Sequence, residues 1–263
     1  TMPLVTSTEM FRKAYEGGYA VGTKSDLTGG MNSLDKQNVM WGAGIQVADQ
    51  AGGYAGFFTH MDNKEGAYAK SAPKLISKQL YNRISATDIR RDWWDPSDKE
   101  SPYVSKKFSF ANVASFLGDY IYMRVEEMYF TAAEAALRLD DLKSARELMN
   151  TVMAERDPGY SANNRSGTLL GATTTTWTGS FLENILTHRR IELWGEYGRL
   201  FDVRRLGQGI DRRTDDGFSE ECISMMNRRN VNITKADTYD WVLTIPKAEL
   251  DANPNINEED QNP

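Results

Sequence analysis

The amino-acid sequence predicts a mainly α-helical fold, built from helical hairpins with long irregular loops and little β structure. Two observations lead to this prediction. Apolar residues recur at alternating spacings of four and three, which places one face of a helix over Ile121, Val125, Met128, Ala132, Ala135 and Leu139. After Asp140 and Asp141 the pattern resumes at Leu142, Ala145, Leu148 and Val152. A tight link between two such helices predicts antiparallel packing.

This helical hairpin is similar to a tetratricopeptide (TPR) repeat in its length and in its alanine-rich first helix. Such repeats have a period of about 34 residues and bury their apolar faces against neighbouring repeats. One copy is recognisable in the chain. We therefore expect the hairpin to pack against other parts of the molecule.

A third helix follows the hairpin after a long loop. Residues 157–159 read Asp-Pro-Gly and end the second helix, and the polar residues 161–179 are predicted to form a surface loop. Ser180 and Glu183 then make a capping box ahead of an apolar stretch. The third helix is expected to end near Tyr197.

The remaining segments give weaker signals. In the N-terminal third we expect a helix over residues 8–15, a brief strand over residues 38–42 and a helix over residues 75–84. Residues 51–58 are rich in glycine, and residues 239–246 have the composition of a strand. No change in composition marks a linker, so residues 1–263 are predicted to form one domain.

Composition excludes several classes of function. The 263 residues carry a formal net charge of −6, which argues against nucleic acid as a ligand. One cysteine, Cys222, and two distant histidines, His60 and His188, cannot build a Cys/His metal site. No apolar run approaches the length of a membrane span, and the first residues do not form a signal peptide. An export signal would therefore have been removed or lie upstream.

Four segments carry family-like motifs. Residues 122–135 contain Arg-x-x-Glu-Met-Tyr-Phe-x-x-Ala-Glu-Ala, and residues 189–205 contain Arg-Arg-x-Glu-Leu-x-x-Glu and then Gly-Arg-x-x-Asp-x-x-Arg. The third is the ending, with Ile-Pro-Lys-Ala-Glu-Leu at residues 245–250 followed by two Asn-Pro pairs. A weaker fourth is Asp-x-Arg at residues 88–90. In this order, the segments resemble the SusD/RagB family of nutrient-binding lipoproteins.

The resemblance implies a TPR-like α/α superhelix and a role without catalysis. It implies binding of an oligo- or polysaccharide at the bacterial cell surface and delivery to a SusC-like TonB-dependent transporter. It also implies attachment to the outer membrane through an N-terminal lipid anchor. Members are about twice this length and begin with a lipid-modified cysteine and helical repeats, so we expect this chain to be a C-terminal half. Two alternatives stay open, a peptide-binding member of the family and a helical-repeat adaptor for a protein partner.

Aromatic residues in loops are the first candidates for ligand contacts, because a flat ring stacks on the apolar face of a pyranose. Tyr54, Phe57 and Phe58 lie among glycines, which allow a ligand to approach the backbone closely. The alternative is a turn whose rings fold back onto the core.

Three tryptophans are further candidates. Trp93 and Trp94 lie in a charged turn, where adjacent side chains point different ways, so we expect one of the two in the core. Trp177 lies in the threonine-rich loop. By contrast, Trp41 and Trp194 lie in apolar patterns and are predicted to be buried.

The charged family motifs are predicted to have a structural role. Acids alternate with arginines over residues 189–205 at spacings that suit ion pairs along helix faces. The residues predicted to act in this way are Arg124, Glu127, Glu134, Arg190, Glu192, Glu196, Arg199, Asp202 and Arg205.

No catalytic, metal or cofactor site is predicted. Glu126 and Glu127 differ by about 100° around a helix, so they cannot converge on one bond. Other acidic pairs lie in ordinary polar turns, and the sequence has no nucleophile elbow, phosphate loop or dinucleotide fingerprint.

Overall fold

The computed structural model describes residues 16–49, 56–165, 179–196, 198–207 and 244–261. Within these residues the fold is mainly helical, as predicted. The α-helices, numbered in chain order, are Lys24–Thr28 (α1), Phe57–Met61 (α2), Ala67–Ser71 (α3), Lys78–Tyr81 (α4), Val125–Arg138 (α5), Leu142–Ala154 (α6), Phe181–Glu192 (α7), Arg199–Arg205 (α8) and Lys247–Ala252 (α9). Short 3₁₀ helices cover Val47–Asp49, Ile89–Trp93 and Glu258–Asp260.

The β structure of the described residues consists of two small antiparallel pairs. The strands are Val39–Ala43 (β1), Trp94–Asp95 (β2), Val104–Ser105 (β3) and Tyr120–Arg124 (β4). β1 pairs with β4, and β2 pairs with β3. The brief strand predicted over residues 38–42 is therefore confirmed, and its partner is the segment directly before the helical hairpin.

The predicted hairpin is confirmed, but its first helix starts later than expected. The apolar pattern begins at Ile121, whereas α5 begins at Val125 because residues Tyr120–Arg124 are extended as β4. Arg124 has φ −124° and ψ 152° and precedes the first helical residue. Apolar residues can keep a spacing of four where a strand continues into a helix, so their periodicity alone does not locate the first residue of the helix.

Turns in the described residues depend on local side-chain chemistry. Asp140 has φ 63° in the link between α5 and α6, and the Asp141 carboxylate accepts a hydrogen bond from the Ser144 N–H. Aspartate tolerates the left-handed region and caps helices well, which explains the Asp-Asp link. At the start of α7 the Ser180 hydroxyl accepts from the Glu183 N–H, as the predicted capping box requires.

Other predicted boundaries shift or lie outside the described residues. α7 ends at Glu192, five residues before the predicted end at Tyr197, and Gly195 then has φ 75° in the following turn. The helix predicted over residues 75–84 is limited to α4. The helix over residues 8–15 lies outside the described residues, as does most of the strand over residues 239–246.

The core of the described residues consists of three apolar clusters. The first joins α5, α6 and α7 and contains Phe130, Met149 and Phe181. The second surrounds Trp93 and Trp94. The third is aromatic and contains Met31, Phe58, Phe108 and Phe110. The hairpin therefore buries its apolar face against a third helix.

Replacement of Met149 by alanine should destabilise the chain, because this side chain is fully buried between the helices of the first cluster. We expect a loss of about 2–5 kcal/mol in the free energy of unfolding, measured by urea denaturation. Lys143→Ala is the control on the exposed side of α6 and should stay within about 0.5 kcal/mol of wild type. Equal stability of the two variants would contradict the assignment of this cluster as the core.

Candidate functional site

A network of buried charges lies between the hairpin and the N-terminal part of the described residues. Four cationic and four anionic side chains, each at most 5% exposed, pair with one another. These side chains are Arg90, Lys107, Arg124, Arg156, Asp88, Glu126, Glu192 and Glu196. Because the charges balance, each buried ion has a counter-ion, which is the condition for burying charge at all.

Glu192, at the end of α7, is the centre of this network. Its Oε1 accepts hydrogen bonds from Arg124 Nη1 at 3.0 Å and Arg156 Nη2 at 2.9 Å. Its Oε2 accepts from Arg90 Nη1 at 3.1 Å and Arg156 Nε at 3.2 Å. Burial alone would raise the pKa of Glu192, but the three arginines outweigh it and hold that pKa well below its usual range.

Arg90, a residue of the Ile89–Trp93 3₁₀ helix, connects that helix to Glu192. The Asp88 carboxylate accepts from Arg90 Nη2 at 2.6 Å and also caps this helix through the Arg90 N–H. Arg90 Nη2 lies 2.9 Å from His188 Nδ1, which must be the acceptor because a guanidinium can only donate. Burial and the adjacent Arg90 hold the pKa of His188 well below its usual value, so the imidazole is neutral.

Arg156 and Glu126 connect Glu192 to Gly22 and Asn38, which precede β1. Arg156 Nη2 donates to Glu126 Oε1 at 2.7 Å, and Arg156 Nη1 donates to the Gly22 carbonyl at 2.8 Å. The Asn38 amide donates to both oxygens of Glu126. The backbone of Asn38 in turn accepts from the Val125 N–H.

Lys107 and Arg124 share the Glu196 carboxylate at the other side of the network. Lys107 Nζ lies 2.5 Å from Glu196 Oε1, and it also donates to the carbonyls of Glu192 and Trp194. The ammonium lies 4.6 Å from the centroid of the Trp93 ring. Three acceptors and two aromatic rings, those of Trp93 and Phe108, therefore surround a fully buried lysine.

A second group of ion pairs fastens α5, α7 and α8 together. Arg189 donates to Glu127 at 2.7 Å and to Asp202 at 3.0 Å. Arg205 donates to Asp202 at 2.8 Å and to Glu134 at 2.7 Å. Most of these pairs join different elements and do not run along one helix face, so that part of the prediction is wrong. The physical reason is that the packing of α5, α7 and α8 brings acids and arginines that are distant in sequence into contact, which spacing along one helix does not reveal.

The charged family motifs thus coincide largely with this scaffold. Arg124, Glu127, Glu134, Glu192, Glu196, Asp202 and Arg205 take part in the ion pairs given above. Arg190 lies in α7 and Arg199 in α8. Burial lowers the pKa of Arg199 from its usual value.

The aromatic residues predicted to contact a ligand are mostly enclosed by protein. Phe58, Trp93 and Trp94 are 2%, 3% and 1% exposed, so none of them has a ring face open to solvent in the structure. Trp93 Nε1 donates to the Leu27 carbonyl at 2.8 Å. Both indoles of the pair are therefore core residues, where the sequence predicted one.

The other predicted aromatics differ in position. Phe57 is half-buried in the third apolar cluster, against the rings of Phe108 and Tyr120. Tyr54 and Trp177 lie outside the described residues, so their predicted role stays a prediction.

An exposed aromatic pair lies elsewhere among the described residues, on β1 and β4. Trp41 on β1 is 64% exposed and Tyr122 on β4 is 41% exposed. Their ring centroids are 5.1 Å apart at an interplanar angle of 62°. The prediction that Trp41 is buried is wrong. The β1–β4 register is irregular between Val39 and Trp41, so Val39 is buried while Trp41 faces solvent, although strict alternation would place both on one face.

The strands that carry this pair are held from both ends. Next to Tyr122 and Met123, Arg124 donates into the buried network. At the other end the Asp119 carboxylate accepts from the backbone N–H groups of Leu34 and Ile45. Gly42 allows close pairing, because a Cβ there would lie 2.4 Å from the Tyr120 carbonyl oxygen. The two rings therefore project from a rigid ladder.

The described residues contain neither a metal-binding cluster nor a membrane-spanning helix. No group of three or more His, Cys, Asp and Glu side chains there is arranged to hold a metal ion. In the same part of the chain, no helix is long and apolar enough to span a bilayer.

Comparison with known proteins identifies the family. A sequence model described as the SusD family matches residues 99–263, which is more than half of the chain. The chain belongs to the SusD family. No curated protein sequence matches it.

Solved structures of SusD-like proteins share the fold. A SusD-like carbohydrate binding protein from Bacteroides vulgatus is 26% identical with a TM-score of 0.63, over 77% of this chain and 41% of its own. A SusD superfamily protein from Bacteroides thetaiotaomicron is 20% identical with a TM-score of 0.68, over 98% of this chain and 57% of its own. A SusD superfamily protein from Bacteroides vulgatus is 18% identical with a TM-score of 0.69, over 98% of this chain and 53% of its own. The chain therefore spans about half the length of the structures it matches, and it has their TPR-like helical fold.

Replacement of Glu192 by glutamine should destabilise the SusD-family chain strongly. The change removes the shared counter-ion of three buried arginines, and breaking a buried ion pair in this way costs about 3–5 kcal/mol. The free energy of unfolding from urea denaturation at pH 7 measures the loss. Glu147→Gln, an exposed residue of α6, is the control and should change it by no more than about 0.5 kcal/mol. A loss below about 1 kcal/mol for Glu192→Gln would contradict the central role of this carboxylate.

Acidification should destabilise the chain through the same carboxylates. Arginine partners, working against burial, lower the pKa of Glu134, Glu192 and Glu196 from the usual 4.5. Their contribution is fully present above pH 4.5 and is lost as the pH falls through the lowered values. Urea midpoints between pH 7 and pH 3 should therefore decrease below pH 4.5. The decrease should be smaller in Glu192→Gln than in Glu147→Gln, and parallel profiles for the two variants would refute the explanation.

Proposed function

We propose that this chain is the ligand-binding part of a non-catalytic glycan-binding protein of the bacterial cell surface. The observation that carries the proposal is the exposed Trp41–Tyr122 pair on a rigid two-stranded ladder. Exposed aromatic rings that lie together form an apolar patch of the kind found at contact surfaces. Family membership, and similarity to the carbohydrate binding protein from Bacteroides vulgatus that is 26% identical, support a saccharide as the ligand.

The chemistry of the pair suits a sugar. The axial C–H groups of a pyranose pack on the face of an aromatic ring, while the indole N–H and the phenol reach its hydroxyl groups. The angle of 62° between the two planes makes a corner and not one flat platform, so Trp41 and Tyr122 would contact two sides of a bound unit. Such rings lose little conformational entropy on binding when their backbone is already held.

The state of the buried carboxylates supports a role without catalysis. A general acid or base must exchange protons with a substrate, whereas Glu126, Glu192 and Glu196 are enclosed and neutralised by arginine or lysine. These carboxylates hold the fold together and have no access to a ligand.

We further propose that the complete protein presents its glycan to a SusC-like TonB-dependent transporter, and that a lipid anchor attaches it to the outer membrane. Family membership supports both statements. An affinity tag on the complete protein in its own bacterium provides the test. We expect a TonB-dependent transporter to co-purify from detergent-solubilised outer membranes, and recovery of the protein from the cytoplasmic fraction alone would contradict the proposal.

Replacement of Trp41 or Tyr122 by alanine should weaken glycan binding, because each variant removes one of the two rings that would contact the sugar. Stacking contacts of this type contribute about 0.5–1.5 kcal/mol, so we expect a loss of affinity of about 2- to 13-fold per ring. Affinity electrophoresis against α-glucan, β-glucan, mannan, arabinogalactan and polygalacturonate identifies the polysaccharide, and calorimetry with its oligosaccharides measures the loss. Phe201→Ala is the matched control, since Phe201 is 69% exposed on α8.

Two results would contradict this assignment. Equal affinity of wild type, Trp41→Ala and Tyr122→Ala for a bound polysaccharide would remove the pair from the binding site. Binding of a peptide library in the absence of any saccharide binding would favour a peptide-binding member of the family.

A further inference from the structure

A polar cleft of about 510 Å³ lies beside the Ile89–Trp93 3₁₀ helix. This volume falls within the range of about 300–1,000 Å³ typical of small-molecule sites. Its lining includes two buried aromatic residues, Tyr81 and Trp94, and three exposed polar residues, Asp92, Ser97 and Lys106. The cleft is lined by residues other than Trp41 and Tyr122, so it is a separate surface.

The cleft is built on the buried network. The backbone N–H of Ile89 donates to the Arg156 carbonyl, and Arg90 extends inward to Glu192. Because Arg90 is held from below, its neighbours Arg91 and Asp92 are fixed at the cleft. A cleft whose backbone is already held in place by hydrogen bonds is preorganised for a ligand.

Several polar groups of the cleft are already satisfied. The Asp88 carboxylate is paired with Arg90, and the Asp95 carboxylate accepts from the Ser97 N–H and hydroxyl. The ring of Tyr81 is covered by the Arg91 guanidinium, whose centre lies 4.4 Å from the ring centroid. Stacking of a ligand on an aromatic face is therefore not what this cleft offers.

Arg91 and Asp92 are two residues of the cleft that keep hydrogen-bonding capacity. Arg91 Nη1 donates to the Ile84 carbonyl at 2.7 Å, which orients the guanidinium, and its other N–H groups make no hydrogen bond with the described residues. The Asp92 carboxylate has no hydrogen bond or ion pair within the described ranges and is exposed. A guanidinium that donates and a carboxylate that accepts thus lie next to each other in sequence on one short helix.

We propose that this cleft is a second saccharide subsite, which binds an uncharged sugar unit through hydroxyl groups to Arg91 and Asp92. The inference rests on the proposed function, since it assumes a glycan ligand. A hydroxyl group both accepts and donates, so neighbouring hydroxyls can pair with both residues at once. Arg91 and Lys106 offset the charges of Asp92 and Asp95, so the cleft gives a charged sugar no net attraction over a neutral one.

Calorimetry on the full chain tests the proposal with maltohexaose, cellohexaose, mannohexaose and hexagalacturonate as probes. Asp92→Asn should weaken binding of the neutral hexasaccharide that wild type binds by about tenfold, because the amide oxygen still accepts a hydrogen bond but lacks the charge that strengthens it. Arg91→Lys, which keeps the charge but loses the planar fork, should weaken it in the same direction. The matched control is Asp140→Asn, which makes the same chemical change in the exposed link between α5 and α6. Thermal unfolding of each variant verifies that the fold is kept.

The outcomes separate this inference from the proposed function. Loss of binding in Trp41→Ala together with wild-type affinity in Asp92→Asn and Arg91→Lys would overturn the second subsite and leave the first in place. Absence of binding of any saccharide to wild type would overturn the proposed function itself. Tighter binding of hexagalacturonate than of every neutral probe would overturn the assignment of an uncharged sugar to the cleft.

Discussion

One buried carboxylate determines how the parts of this molecule are held together. Glu192 accepts hydrogen bonds from Arg90, Arg124 and Arg156, which come from a 3₁₀ helix, a strand and the end of α6. A charge in the interior is costly unless it is paired and hydrogen-bonded, so these arginines are tolerated only with Glu192 and its neighbouring carboxylates in place. Elements distant in sequence therefore assemble around Glu192 as a group. The apolar clusters supply the bulk of the burial, but this network specifies which elements meet.

The same network determines which surfaces are rigid. Arg124 is the last residue of β4, two residues from the exposed Tyr122, and Arg90 lies within the short helix that borders the polar cleft. Both proposed ligand surfaces are therefore attached directly to the network of buried charges around Glu192. The charged family motifs build the scaffold, whereas the ligand surfaces lie beside them. On the two proposals above, substitutions at Trp41, Tyr122 or Asp92 would alter ligand contacts and leave Glu192 and its arginines in place.

The helical part of the fold could be predicted because its signals are local. The spacing of apolar residues between Val125 and Val152, the Asp-Asp link and the Ser180 cap each act within one or two helical turns. The strand before α5 could not be predicted, since Tyr120–Arg124 is extended only because β1 pairs with it from about 80 residues away in the chain. A pairing over such a distance leaves no periodic trace in the segment itself.

The sequence by itself determined the family, the helical hairpin and the structural use of residues such as Arg124, Glu192 and Asp202, because motif order and helix periodicity are written along the chain. Only the tertiary structure decided which aromatic rings face solvent. Trp93 and Trp94 lie in a charged, loop-like segment but are buried, because Arg90 anchors that segment to the interior. Trp41 lies in an apolar pattern but is exposed, because an irregular strand register turns its side chain outward. Burial is a property of how elements pack against one another, and packing between distant segments is not encoded in the neighbours of a single residue.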